Sequence, residues 1–454
     1  MFPVTRKNLE TWQILPEPAV PFLEVRESLV PGQNNVWFEY VPSGYTGEYS
    51  VPLVVELHGG NSDPKDFIRY VPWYLPAEKY GFIAVYPTSP GFLHWKCDEG
   101  DITYLYRLIK RMKQKYRIDA SRIYMQGMSN GDMMTLSFAA RYPEMLASAG
   151  YMTGPTFTER FPSELSGELP ALQMRGEKDV LAIGVSGETD PYALREKYND
   201  ENRHAWMERN RVDAVPQICI YGKDNYVWYT GNDSDLFYWE IADMGHRVLP
   251  HMPSFLWEAF YTGFRRTEEG IVRSRPVNPL RADADAFALV CGSSRMYKNR
   301  ELISIDTAPN ARPRYLMNSD IREGSVQVKI GEMWTTPVMM APIGVLERLG
   351  AKVTVDGYAG NAVAELADGR KVEFYGRSLL YKVDGRYVSF KRQSAHISGC
   401  FYIPVREVME DIFGWWCCEE NEVFYTAPHP IQLTRGTARI LHELLDEEPV
   451  GERV

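Results

Sequence analysis

Gly127-Met128-Ser129-Asn130-Gly131 lies between two segments of opposite character. Upstream, Arg122-Ile123-Tyr124-Met125-Gln126 reads as a buried strand. Downstream, Met133, Met134, Leu136, Phe138, Ala139 and Ala140 suit a helix, until Tyr142-Pro143 breaks it. Strand, sharp turn and helix form the setting in which a serine hydroxyl is lifted clear of the backbone toward a substrate carbonyl. Glycines two residues before and after Ser129 leave room where side chains would meet the adjoining strand or helix. The helix N-terminus then puts the Asn130 amide beside a developing oxyanion.

A serine in such a turn needs an acid and then a histidine further along the chain. Pro170-Ala171-Leu172-Gln173-Met174-Arg175 reads as a strand, followed by a loop, Gly176-Glu177-Lys178-Asp179, that places Asp179 at the sheet's carboxyl edge. Asp235-Leu236-Phe237-Tyr238-Trp239-Glu240-Ile241 reads as another strand and leads to Asp243-Met244-Gly245-His246. The expected roles are nucleophile for Ser129, general base for His246 and orienting acid for Asp179, with Glu177 and Asp243 as rival acids. The second oxyanion donor is expected after the run Val51–Leu57, in His58-Gly59-Gly60-Asn61. Gly60 is the choice there and Asn61 the alternative, while His58 is read as a structural residue fixing the turn.

Around this core, Gly81–Pro87 reads as a buried strand and Val36–Tyr40 as an antiparallel edge strand. Ile102, Leu105, Ile109 and Met112 recur at helical spacing with basic residues on the other faces. The fold class is α/β, an α/β-hydrolase fold with a mostly parallel sheet and helices on both faces.

The motifs as a set resemble the polyhydroxybutyrate depolymerase-like esterases, which include feruloyl and acetylxylan esterases. They are Leu57-His58-Gly59-Gly60, Asp98 to Asp101 leading into a helix, Tyr116 to Tyr124, Gly127 to Gly131, and Gly245-His246. The resemblance covers roughly residues 30 to 262. It implies Ser129, Asp179 and His246 as a triad, and Trp95 as a wall of the substrate pocket. The chain departs from the family pattern at Asp132, where a second glycine is common. It departs again at Arg247-Val248-Leu249-Pro250, where Trp-Pro is common, so a different leaving-group side is expected.

With 454 residues, 44% hydrophobic and 24% charged, the chain has the composition of a globular protein of two or three domains. A formal net charge of −10 argues against nucleic acid as a partner, and the basic run Lys110–Lys115 is the solvated face of a helix. No apolar run is long enough for a membrane span, and the first residues lack the apolar centre of a signal peptide. A cytoplasmic location is expected as the sequence stands, or a secreted one if a signal has been removed. The six cysteines, at 97, 219, 291, 400, 417 and 418, show no disulfide or zinc spacing and read as free thiols. No metal and no cofactor is expected.

The catalytic domain is expected over 1–265, a linker and connecting segment over 266–324, a small α+β domain over 325–428 and a tail over 429–454. Within the third of these, Trp334 to Val353 recurs loosely as Phe401 to Trp415: strand, proline, helix, glycine, strand. The second copy, with Glu422–Ala427, resembles the copper amine oxidase N-terminal-like stalk domain, although His396 and His429 show no pattern that implies copper. A spacer, glycan-binding or self-association role follows for this domain. Trp415–Cys418 reads as a buried strand. In the tail, Ile440, Leu441, Leu444 and Leu445 suit a short amphipathic helix.

The expected activity is that of a serine carboxylic-ester hydrolase on acyl or feruloyl esters of plant polysaccharide or phenolic conjugates. A polyhydroxyalkanoate depolymerase, a serine peptidase of the same fold, and a non-catalytic binding or scaffold protein are the alternatives.

Overall fold

The structure, a computed structural model, describes residues 15–62, 64–91, 93–153, 168–180, 191–274, 284–305, 311–317 and 337–446. Two compact units emerge, one of residues 1–216 with 226–281 and the other of 217–225 with 282–454.

One large sheet holds most strands of the first unit together with residues 217–225 of the second. Its strands are β1 (Leu23–Glu27), β2 (Asn35–Tyr40), β3 (Val51–Leu57), β4 (Ile83–Pro87), β5 (Ile118–Met128), β6 (Ser148–Met152), β7 (Ala171–Gly176), β8 (Gln217–Tyr221), β9 (Asp224–Tyr229) and β10 (Leu236–Ile241). Their spatial order is β1-β2-β4-β3-β5-β6-β7-β10-β9-β8. From β4 through β3, β5, β6 and β7 to β10 every neighbouring pair is parallel. The carboxyl ends of these strands therefore share one edge. The chain reverses its direction of travel across the sheet at β3, and beside such a switch point loops leave a crevice for a ligand. This is the α/β-hydrolase fold.

Burial explains the strand assignments. β3, β4 and β6 are buried along almost their whole length, as strands covered by helices on both faces must be. The helix Glu99–Lys115 turns Ile102, Leu105, Leu108, Ile109 and Met112 inward, and the Asp98 carboxylate caps it by accepting from the Gly100 and Asp101 amides. β2 is antiparallel to β4, as expected, but it is not the edge. β1 pairs outside it, a short charged strand that stays half exposed and so carries little apolar signal. The helix Pro191–Asn210 was also illegible, because its composition is strongly polar.

The second unit is built of antiparallel sheets. β13 (Phe287–Val290), β14 (Arg295–Lys298), β15 (Glu301–Ser304), β25 (Trp416–Glu420) and β26 (Val423–Ala427) form one, in the order β15-β14-β13-β26-β25. The described part of 266–324, expected as a linker, thus supplies strands, and Phe287 and Leu289 share a core with Met339, Ile403 and Phe424. Residues 334–336 of the repeat lie outside the described residues. In its described part, β17 (Val338–Pro342) and β24 (Cys400–Pro404) pair with each other, so the strand-ending prolines are Pro342 and Pro404. Left-handed Gly350 and Gly414 close the helices that follow. Trp416 is 54% exposed on the edge strand β25, against the expectation of a buried one. The helix Arg435–Leu445 buries Ile440, Leu441 and Leu445 within this same unit, capped by Thr434. All six cysteines are unbridged.

Candidate active site

Ser129 stands where β5 ends and the helix Asn130–Arg141 begins, with φ 55° and ψ −115°. This left-handed turn throws the side chain off the strand's line, and Ser129 holds its place by donating its amide to the Met152 carbonyl at 2.8 Å. The flanking glycines are demanded by contact. A Cβ on Gly127 would lie 2.1 Å from the Gly131 carbonyl oxygen, and one on Gly131 would lie 2.2 Å from that of Leu57. Helix, strand β5 and the end of β3 are thus pressed together under the serine.

The loop after β3 comes to the same place. A Cβ on Gly59 would be 3.4 Å from Ser129 Cβ, and one on Gly60 would be 3.6 Å from Asn130 Cβ. The Asn61 amide is taken by the Leu93 carbonyl at 2.7 Å, which leaves Gly60 as the better-placed donor of the two. Among the described residues, neither the Gly60 nor the Asn130 amide has an internal acceptor. His58 fixes the turn. It is buried, lies 2.8 Å through Nδ1 from the Gly59 carbonyl, and accepts the Ser89 amide on Nε2 at 3.0 Å. That pair of contacts assigns the proton to Nδ1, and burial pushes its pKa down. The His94 ring lies against Gly60.

Trp95 differs from expectation. It is 1% exposed, stacked in the core beside His58 and Tyr104, so it does not wall an open pocket. Instead its backbone amide donates to Asn130 Oδ1 at 2.6 Å and its carbonyl accepts from Asn130 Nδ2 at 3.0 Å. The side chain of Asn130 is thereby clamped, and its amide orientation with it. The family resemblance suggested a wall; the decisive contacts are made by the backbone of Trp95.

The loops after β7 and β10 carry Asp179 and His246. His246 Nδ1 lies 2.9 and 3.0 Å from the two carboxylate oxygens of Asp179, which is 6% exposed. The rivals are engaged otherwise: Glu177 accepts the Asp243 amide at 3.0 Å, and Asp243 pairs with Lys178 at 2.6 Å. These contacts zip the two loops into one body, with Gly176 so close to the second loop that a Cβ would lie 2.2 Å from the Met244 carbonyl oxygen. Beyond the histidine, the Val248 amide donates to Tyr70 Oη at 3.2 Å. Tyr70 has no sequence signal, because its role depends on a backbone amide far along the chain.

Under the site lies a buried polar cluster. Glu56 on β3 accepts from Trp73 Nε1 at 2.6 Å and from Gln126 Nε2 at 3.0 Å, and Tyr261 donates to Gln126 Oε1 at 2.6 Å. Glu56 is fully buried, and desolvation pushes its carboxyl pKa well above the usual range, against the lowering effect of its Trp73 and Gln126 hydrogen bonds.

The stretch that carries this elbow and the Gly60 loop matches a known family. The family profile for Esterase PHB depolymerase fits residues 36–177, which span Ser129 and the loop of Gly60. Poly(3-hydroxyalkanoate) depolymerase C from Paucimonas lemoignei is 34% identical over 249 residues, 48% of this chain and 59% of that protein. The N-terminal part of this chain is similar to the PHB depolymerase esterase family. Feruloyl esterase B from Neurospora crassa is 32% identical over 138 residues, 27% of this chain and 44% of that protein. A probable acetylxylan esterase A from Aspergillus fumigatus is 30% identical over 131 residues, 27% of this chain and 35% of that protein. The chain thus spans between about a third and three fifths of the length of these curated esterases.

Proposed function

We propose that the chain is a serine carboxylic-ester hydrolase working through an acyl-enzyme. Ser129 Oγ attacks the ester carbonyl carbon while His246 Nε2 takes its proton, and the amides of Gly60 and Asn130 receive the negative charge on the carbonyl oxygen. The C–O bond to the alcohol then breaks and His246 returns the proton to the departing oxygen. Water, activated by the same imidazole, attacks the acyl-serine and releases the acid. Asp179 keeps the tautomer with Nδ1 protonated and balances the imidazolium that forms. The observation that carries this reading is the left-handed Ser129 between two glycines that no larger residue can replace.

For substrates we favour acyl or feruloyl esters of plant polysaccharide or phenolic conjugates, a reading supported by two relatives named as a feruloyl esterase and a probable acetylxylan esterase. A polyester of hydroxyalkanoates is a second reading, favoured by the longer match to the depolymerase. The C-terminal unit is read as a stalk-like module that spaces or tethers the hydrolase. Acetyl, butyryl and feruloyl esters assayed beside hydroxybutyrate oligomers and p-nitroanilide peptides decide among these. Ser129→Ala should lower kcat on the best ester by on the order of a thousandfold or more while the protein stays folded. Near-normal turnover by that variant would remove Ser129 from the mechanism.

A further inference from the structure

The tight turn that presents Asp179 has a feature that the acid–base pair alone does not explain. The carbonyl oxygens of Gly176, Glu177 and Asp179 all converge on one nitrogen, Nη1 of Arg195. It donates to Gly176 at 3.2 Å, to Asp179 at 2.9 Å and, at short range, to Glu177. Three carbonyl dipoles aimed at one point repel one another unless a cation sits there. Arg195 is that cation. It projects from the helix Pro191–Asn210, is 4% exposed, and reaches the loop from below rather than from the solvent side.

The guanidinium is itself held from behind. Nη2 pairs with Glu196 and lies 3.8 Å from Glu240 Oε1, and Arg175 bridges the same two carboxylates at 3.1 and 3.0 Å. Two arginines and two glutamates make a neutral, buried square whose corners come from β7, β10 and the helix. A lysine at 195 would keep the charge, but a single ammonium could not pair with Glu196 and meet three carbonyls in that planar arrangement.

We propose that Arg195 is a positioning residue for the hydrolase. It folds the Gly176–Asp179 turn so that the carboxylate of Asp179 meets His246 through both oxygens. The proposal rests on the hydrolase reading above, and Arg195 touches neither His246 nor Ser129.

The test is a double-mutant cycle on the full chain. The wild type, Arg195→Lys, Arg195→Met, Asp179→Asn and the doubles are assayed on a small activated ester. Functional sites are counted by fluorophosphonate labelling of Ser129, and folding is followed by thermal melting. If Arg195 acts through Asp179, Arg195→Lys should lower kcat per labelled site about ten- to a hundredfold with KM within about twofold. The same change made in the Asp179→Asn background should cost less than about twofold more. A residue that only stabilised the fold would reduce the number of labelled sites and the melting temperature, but leave kcat per site unchanged. Should Arg195→Met fail to fold, Arg195→Lys still closes the cycle. Unchanged kcat per site in Arg195→Lys, or an equal loss in both backgrounds, overturns the proposal while leaving the hydrolase reading intact. A wild type that neither turns over ester nor labels at Ser129 overturns both.

Discussion

Three acidic side chains ring the His246 loop, and each holds a different partner. Glu177 accepts a backbone amide, Asp243 pairs with Lys178, and Asp179 meets the imidazole. Asp179→Asn should therefore lower kcat by on the order of ten-thousandfold, because the amide favours the wrong imidazole tautomer. Asp243→Asn should cost less than about tenfold, since it loosens an exposed ion pair beside the loop. Steady-state kinetics on one ester with both variants checks this, and the reverse ranking would move the acid to Asp243. At this scale the sequence was legible where the constraint is local. Ser129, Gly127 and Gly131 are read from neighbouring residues, because the turn that needs them is made of those residues. Asp179 was preferred to Glu177 and Asp243 from its place after a strand, while the contacts that separate the three are made across two loops. Arg195 and Tyr70 act on backbone atoms of distant segments, and a backbone atom leaves no mark in the amino-acid letters.

Among the elements, β3 and β5 lie side by side with Glu56 opposite Gln126. Burial of Glu56 disfavours the charged form of its carboxyl. Its folded pKa is raised above the ordinary 4.5, so the folded chain retains a proton that the unfolded chain releases once the pH passes that value. The contribution of Glu56 to stability is thus complete below about pH 4.5 and is lost as pH climbs toward the folded pKa, at up to about 1.4 kcal/mol per pH unit. Glu56→Gln keeps an acceptor for Trp73 and Gln126 without a titrating proton. Urea unfolding of the two proteins at pH 5 and pH 8 should show the wild type losing ground to the variant at the higher pH. Parallel behaviour would mean that the carboxyl ionises in place. The buried strands were legible from apolar runs. β1 and the helix Pro191–Asn210 were not, since half-exposed charged elements satisfy their backbone hydrogen bonds without an apolar stripe.

In the whole molecule, the proposed catalytic residues all belong to the first unit, yet residues 217–225 group with the second. There the Ile218 amide donates to Tyr297 Oη at 2.8 Å, His429 Nε2 lies 2.9 Å from the Ile220 carbonyl, and Asn225 Nδ2 donates to the Gln432 carbonyl at 2.8 Å. A chain ending at residue 281 lacks these partners, and each buried polar group left bare costs about 1–3 kcal/mol. Such a truncation should melt earlier and aggregate more, while its soluble monomeric fraction keeps kcat/KM on a small ester within about tenfold of the full chain. Size-exclusion chromatography with melting curves and ester assays reads both halves of the expectation. A stable monomer with no esterase activity would show that the C-terminal unit completes the site.

Ser129 also exacts a toll on folding. A backbone at φ 55° is one that side-chain-bearing residues resist by about 1–3 kcal/mol and glycine adopts freely. Ser129→Gly, although inert, should outlast Ser129→Ala in urea by about 1 kcal/mol, once the greater freedom of glycine in the unfolded chain is subtracted. Equal midpoints would show a relaxed turn. On the proposed mechanism, a serine at this position trades durability for chemistry, and a chain freed from that reaction would drift here toward glycine.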